Sequence, residues 1–422
     1  MKKETAIAIK TLAALSTVYI ASNFYRSSIS VIAPDVMDEI GLTHEQLGVV
    51  GGIFFIGFAV FQIPVGIFLD RYGPRKTICC LMLMTVVSSF GFAVATSFSE
   101  LTVSRFFIGV GCSPVMMGSL VIISRWLSTE RFALYASLIV GMGGLGNIIS
   151  TTPTALLASV AGWRVIFWVS GGLTALALVI AFLSLKDAPE GHAFHSRKIE
   201  NMRDSLGSIG RIISDREFQY VFAINLVIYG TIMTIAALWG ANFLRDIYGL
   251  DVTDRGNVLF AMMLAMICSS LVYGYLDSIF ASRKRLIMCA ATTTILILGI
   301  LAALPVIEVW QISALLILLC FVGNYGVVIM AHGRSIFPEE LLGRGIATLN
   351  TAVFLGVFLL QGMGGLIIGH FHDETGAAPL IAYKVLFLSI AAVLILAVLI
   401  YSRSRDSKSP KIPVPPSTAP KL

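Results

Sequence analysis

Arg26 and Arg105 are guanidinium groups set inside otherwise apolar runs, where an ionisable side chain is costly and points to a counter-charge or a polar pathway. Tyr19, Asn23, Arg26 and Ser30 recur at steps of four, three and four, so on a helix they share one face. That face joins a fixed cation to two hydroxyls and an amide, the equipment for holding an organic anion through charge-assisted hydrogen bonds. We expect it to line a cavity. Arg105 is a second candidate contact, with a structural bond to the backbone of the first helix, or to Asp35, as the equal alternative. Gly109 and Gly111 follow it and permit close packing. From the second half come Asn225 and Tyr229, one turn apart, and Asn324 and Tyr325. These groups bond without charge, and bonding between helices is as natural a use for them as ligand contact.

Other chemistries have less to work with. Asp35 is the acid that can approach Arg105, and such a pair can trade a proton as its carboxylate titrates, which makes the proton the candidate coupling ion. His370, His372, Asp373 and Glu374 cluster in one loop without a further ligand, so no metal site is expected. His332, near the end of an apolar run, reads as a solvated interfacial histidine. The six cysteines lie in or beside apolar runs with no zinc spacing and read as buried small residues. No carboxylate pair falls within the apolar runs, no nucleophile has a base at a recognisable spacing, and no GxxxxGK[ST] loop occurs. An enzyme, a cofactor and direct drive by ATP are therefore not expected.

These residues need elements that hold them in lipid. The 422 residues are 57% hydrophobic and 13% charged, where an ordinary globular chain is about one quarter charged. Apolar runs long enough to span a bilayer fall at roughly 11–33, 46–69, 78–97, 101–124, 133–158 and 165–185, then 219–243, 256–276, 286–304, 309–331, 345–369 and 381–401. They are continuous rather than alternating, which excludes barrel strands. The expected fold is an all-α polytopic membrane protein of twelve transmembrane helices in two six-helix bundles, residues 1–185 and 219–401. The polar stretch 186–218 reads as a linker, and the Pro/Ser/Lys-rich end 402–422 as a disordered tail. Lysine and arginine concentrate in alternate loops and in both termini, leaving Arg164, Arg245, Arg255 and Lys384 in the others. By the positive-inside rule both termini are cytoplasmic. The net charge of +6 is a topology signal and an attraction to anionic headgroups, not a nucleic-acid footprint.

The chain also repeats itself. GIFLDRYGPRK from Gly66 and GYLDSIFASRK from Gly274 lie roughly two hundred residues apart, and Arg125 to Arg131 answers to Arg334 to Arg344 at the same offset. Asp70 at a helix end can accept from the free N–H groups that begin the eleventh helix near Gly345, aided by that helix's dipole. It would act as a latch between the halves. Gly66 is expected to let helices approach, Gly73 to make the turn, and Arg71 and Arg75 to hold the loop in the cytoplasm. Asp277 would mirror the latch against the fifth helix near Arg131, with Arg344 as the counterpart of Arg131.

Gly66, Asp70, Arg71, Gly73, Arg75 and Lys76 resemble the signature loop of the major facilitator superfamily, and Arg105, Gly109 and Gly111 resemble its fourth-helix arginine motif. The resemblance implies a cavity lined by helices 1, 4, 7 and 10 and alternating access by rocking one bundle on the other. The run from Phe24 to Pro34 is similar to the start of the organic-anion branch, in which the arginine matching Arg26 contacts the substrate. Tyr25 stands where many proton-coupled members carry an aspartate, and the seventh helix lacks the second arginine of the phosphate exchangers. That favours a monocarboxylate, and the expected function is secondary transport of a small organic anion. The alternatives are multidrug or metabolite efflux, although Pro153 follows Thr152 and not the glycine of the drug-antiporter motif, and a receptor or scaffold that transports nothing. The expected partners are a small-molecule substrate and the lipid bilayer, for a monomer in a bacterial inner membrane.

Overall fold

The structure is a computed structural model that describes residues 2–126, 132–189, 210, 212–280, 282–337, 342–371 and 377–407. Among these no strand occurs, and twelve long helices carry the fold. In the first half they are α1 (Lys2–Ser27), α2 (His44–Tyr72), α3 (Pro74–Val94), α4 (Phe98–Trp126), α5 (Phe132–Ile149, continued by Thr152–Ala161) and α6 (Trp163–Ser184). In the second they are α7 (Arg216–Tyr248), α8 (Val252–Ile279), α9 (Arg283–Ala303), α10 (Val309–Ile336), α11 (Leu342–His370) and α12 (Leu380–Tyr401). Eleven of them, all but α1, are long and apolar enough to cross a membrane. Every crossing must satisfy its own backbone, and the helix starts show how. Thr43 and Gln46 close a capping box on α2, Ser97 accepts from the Glu100 N–H, and Asp215 and Asp251 cap α7 and α8.

Several crossings are broken where the sequence denies the backbone a hydrogen bond or offers another conformation. α4 breaks at Ser113-Pro114, α5 at Ser150-Thr151 ahead of Pro153, and α10 at Asn324-Tyr325. A π turn over Ile235–Trp239 widens α7. The first helix ends earlier than its apolar run suggests. Residues after Ser27 turn, and Pro34 starts a short amphipathic helix, Ala33–Ile40, which carries Asp35, Asp38 and Glu39.

The two halves repeat one packing scheme. In the first half α1 packs on α5, α2 on α4, α3 on α4 and α6; in the second α7 packs on α11, α8 on α10, and α9 on α10 and α12. Adding six to each helix number turns the first set into the second. Across the halves α2 packs along α11 and α5 along α8, a pair related by the same rule. Twelve helices running alternately in opposite directions put the start of α1 and the end of α12 on one face, called the terminal face below; the opposite one is the far face.

Ser402 to Ser407 fold back on α9, whose Lys284 donates to the Ser402 and Ser404 carbonyls at 2.6 Å each. Residues 408–422 lie outside the described residues.

Candidate functional site

Arg26 lies where α1, α2, α7 and α11 converge, between the halves. Its guanidinium sits 5.4 Å from the centre of the Phe58 ring of α2 and 5.2 Å from that of Phe354 of α11. The Tyr19 and Tyr229 phenols are close enough to interact with it. Its Nε is buried without a hydrogen-bond partner, and no carboxylate among the described residues pairs with it. A buried donor left unmade costs about 1–3 kcal/mol, more when charged. An anion entering between the halves removes that cost.

Glycines set this convergence. A Cβ at Gly143 of α5 would collide with the Tyr19 ring, and one at Gly146 with the Ile20 carbonyl, so α5 can press on α1 only where side chains are missing. A Cβ at Gly356 of α11 would strike the Leu226 carbonyl of α7, and this close approach brings Tyr229 edge-on to Phe354 at 6.4 Å. Phe58 and Phe354 meet at 4.2 Å between centroids. Asn23 is buried, donates to the Tyr19 carbonyl at 3.0 Å and lies against Gly143. Ser30 falls in the turn beyond α1, with its hydroxyl buried and unpartnered.

Arg105 does not meet Asp35. It is fully buried in the first bundle, donates to the Tyr25 carbonyl at 2.9 Å and lies over Phe54 at 5.1 Å. Gly57 and Gly109 explain the depth: α2 and α4 touch backbone to backbone there, which draws Arg105 against α1. Tyr25 faces away from Arg26, with its hydroxyl 3.0 Å from Ser89 and 3.2 Å from Thr174. The other polar candidates also bond helices. Asn225 donates to the Leu349 carbonyl at 2.7 Å, Asn324 to the Met266 carbonyl at 2.7 Å and to Ser270 at 2.9 Å. Tyr325 is fully buried against Tyr273 with its hydroxyl unpartnered. Of the second-half candidates, Tyr229 alone reaches Arg26.

Asp35 is engaged elsewhere, in a clasp at the far face. Asp35 meets Arg255 at 3.2 Å and Asp38 meets Arg245 at 2.9 Å, each pair joining the first half to the second. Arg245 also meets Asp246 at 2.9 Å, and buried Asp246 accepts from the Tyr383 hydroxyl at 2.6 Å. Glu39, on the same short helix, is tied back to Trp163 and Arg164 of the first half. At the terminal face the inner segments of α4 and α10 pack mainly within their own halves. The conformation is therefore closed at the far face.

Burial pushes the Asp35 carboxyl above the usual carboxylate range, by more than Arg255 and Arg245 pull it down. A carboxyl raised in the closed state takes up protons on closing. Its contribution to closure is complete below the ordinary carboxylate pKa and is lost as pH rises through the raised one. Acidification is thus expected to favour far-face closure in the wild type, and Asp35→Asn to flatten that dependence. Distances between spin labels on the far ends of α2 and α11, followed across pH, measure it; an unchanged pH profile in the variant refutes it.

The terminal-face residues divide. Asp70 is exposed and forms no hydrogen bond among the described residues. Arg71 lies over its neighbour Tyr72 at 5.5 Å. Arg75 does more than sit in a loop: it donates to the Phe182 carbonyl at 2.7 and 3.1 Å, and its N–H meets Asp187 at 2.7 Å. Gly73, at φ +86°, turns α2 into α3 beside Asp187, where a Cβ would sit 2.7 Å from the carboxyl carbon. Gly66 permits no close approach in this conformation, since a Cβ there would meet open space. Asp277 does not reach α5; it binds Arg283 in its own half at 2.8 and 3.0 Å. Arg131 lies outside the described residues, as do the Arg344 side chain and His372, Asp373 and Glu374 of the proposed loop cluster. His332 is buried rather than solvated: Tyr401 at 2.6 Å and the Arg405 carbonyl at 3.1 Å cover it, because the segment after α12 folds over it.

Phe58, Phe354 and the clasp were not among the sequence candidates. For the clasp a signal existed, as the acids after α1 and the isolated Arg245 and Arg255 have opposite signs in loops on one face. The two phenylalanines carry none, because an aromatic facing a cation is spelled like one facing a core.

Comparison with known proteins places this geometry in context. The family model described as Major Facilitator Superfamily matches residues 15–331 and 221–422. A probable sulfoacetate transporter of Cupriavidus necator is 22% identical over 393 residues, covering 90% of this chain and 91% of the relative. A hexuronate transporter of Escherichia coli is 21% identical over 392 residues, with 89% and 90% covered. Among solved structures, a bacterial homolog of the human lysosomal transporter Spinster, inward-facing and unoccupied, superposes with a TM-score of 0.75 at 15% identity, over 93% of this chain and 95% of that one. A D-xylose-proton symporter gives 0.74 at 14% identity, over 96% and 100%.

Proposed function

The chain belongs to the Major Facilitator Superfamily, a multi-pass membrane transporter and not an enzyme, and from that premise we propose that it carries a small organic anion with one carboxylate, bound at Arg26. The observation that carries the reading is the half-buried guanidinium between the halves, its Nε buried and unpartnered, with no carboxylate paired with it among the described residues. A resident acid would neutralise it; in its absence the substrate supplies the charge. Tyr19 and Tyr229 add hydroxyls from both halves, a fit to the hydroxyl-bearing body of a sugar acid. Relatives named as transporters of hexuronate and galactonate, each with one carboxylate, support the same class, and a relative named for tartrate, which has two, supports the wider class of organic anions.

In this reading the terminal face is cytoplasmic, as the lysine and arginine bias requires, and the far-face clasp is the closed outer gate. Substrate reaches Arg26 alternately from each face as the bundles rock, with a proton as the coupling ion and Asp35 as its acceptor. Arg105 then serves as a tie between α4 and α1, positioning the helix that carries Arg26. Uptake of a labelled hexuronate, a phosphate ester and a lipophilic cation into liposomes holding the pure protein separates the possibilities. Flux of the hexuronate alone is expected. Flux of the cation in its place would establish drug efflux, and binding without flux a receptor.

Asp70 belongs to the opposite conformation. Free here, it is proposed to cap the start of α11 when the cytoplasmic face closes. Asp70→Asn removes a charge–dipole interaction of about 0.3–2 kcal/mol, enough to shift the outward-to-inward ratio about twofold to thirtyfold toward the inward-open form. Spin-label distances across the cytoplasmic ends of α2 and α11 give the ratio; equal populations in variant and wild type count against the latch.

A further inference from the structure

The two rings that face Arg26 touch each other at 4.2 Å between centroids and come from different halves. Phe58 belongs to α2 and moves with Arg26, whereas Phe354 belongs to α11 and reaches the guanidinium from the other bundle. Both rings are buried, at 3% and 4% exposure. A cation over an aromatic face is attracted by the ring quadrupole, most strongly where water is scarce. In the far-face-closed conformation the guanidinium therefore has one ring of charge compensation that travels with it and one lent by the opposite half. Resting on the anion reading above, we propose that Phe354 is the residue that lets the empty carrier change conformation, by compensating the Arg26 charge when no anion is bound.

The argument follows from what each leg of the cycle must carry. On the loaded leg the substrate carboxylate neutralises Arg26, and the rings add little. On the empty leg the same guanidinium keeps its Nε buried and unpartnered, and the far face can close only if the cation is stabilised as it closes. Phe354 arrives with that closure, because α2 and α11 pack together from His44 and Gly365 at the far face to Phe58 and Phe354. Losing its π face should slow the empty leg and spare the loaded one. Net uptake needs both legs, while exchange of internal for external substrate uses the loaded leg alone.

The test uses radiolabelled galacturonate in proteoliposomes, measuring net uptake and exchange side by side. Phe354→Leu keeps an apolar side chain of similar bulk and removes the ring. Net uptake is expected to fall about twofold to thirtyfold relative to exchange, the range a cation–π contact supplies. Phe354→Tyr, which keeps the face, should restore the ratio. Phe58→Leu should leave the ratio alone, since that ring accompanies Arg26 in both conformations. If Phe354→Leu does not give a monodisperse protein, Phe354→Met serves in its place. A parallel fall in uptake and exchange, or no change in either, overturns the proposal and leaves the ring a packing residue. Failure of the anion reading looks different: Arg26→Ala would retain exchange, or the wild type would carry no galacturonate.

Discussion

Arg26→Ala is expected to abolish transport of a monocarboxylate while leaving the protein at least as stable as before. A guanidinium binds a carboxylate through two parallel N–H···O bonds. Truncating one partner of a buried, hydrogen-bonded charge pair costs about 2–5 kcal/mol, which is about thirtyfold to several thousandfold in affinity. Arg26→Lys should fail as well, because an ammonium offers a point charge and not a planar fork. Stability is expected to move the other way. The empty site holds a cation whose buried Nε has no partner and which no carboxylate among the described residues neutralises, and removing such a charge relieves a desolvation cost that the facing rings offset only in part. Loss of flux with an unchanged or higher melting temperature is the signature of a residue kept for function. Proteoliposome uptake and a thermal melt of the same preparation decide it; retained anion uptake in Arg26→Ala would remove the central claim, and uptake of a lipophilic cation by that variant would point to efflux.

What could be read in advance follows from what the bilayer makes expensive. Each crossing must be an apolar helix, so the spans, the six-plus-six organisation and the internal repeat stand in the sequence as hydropathy and motif spacing. Arg26 was legible for the same reason, since a cation in an apolar run demands an explanation and its four-three-four neighbours fix the face. Polar residues without charge were less legible. Asn225 and Asn324 are spelled like ligand contacts, yet they bond the carbonyls of Leu349 and Met266, and the choice depends on which helix stands opposite. For Arg105 the bond to the backbone of the first helix stood as an equal alternative to substrate contact, and the choice rests on the Gly57 and Gly109 contact that pulls it against α1, a three-helix arrangement. Asp35 pairs with Arg255, more than two hundred residues away, and loop charges reveal such a partnership only once the two loops are known to meet. Asp70 is exposed and Gly66 faces open space here, so the latch proposed for them is a matter of the other conformation.

The glycines give the sharpest separation between structural and conformational roles. Gly356 of α11 is expected to be among the least tolerant positions of the second half. A methyl there would be driven into the Leu226 backbone carbonyl, and backbone cannot swing aside as a side-chain end can. Overpacking of this kind costs about 1–3 kcal/mol and occasionally more, and here it would pry apart α7 and α11, the helices that bring Tyr229 and Phe354 to Arg26. Gly356→Ala should therefore lower the melting temperature and weaken anion binding together. Gly66→Ala should do neither. Its Cβ would enter open space, and exchanging glycine for alanine inside α2 favours the helix by about 1 kcal/mol, so the melt should hold or rise. Any fall in flux for Gly66→Ala must then arise in the conformation closed at the terminal face, where α2 would approach the second half, and spin-label distances across that face should show the inward-open form gaining. A destabilised Gly66→Ala, or a Gly356→Ala that melts and binds like the wild type, would contradict the helix contacts on which the site is built.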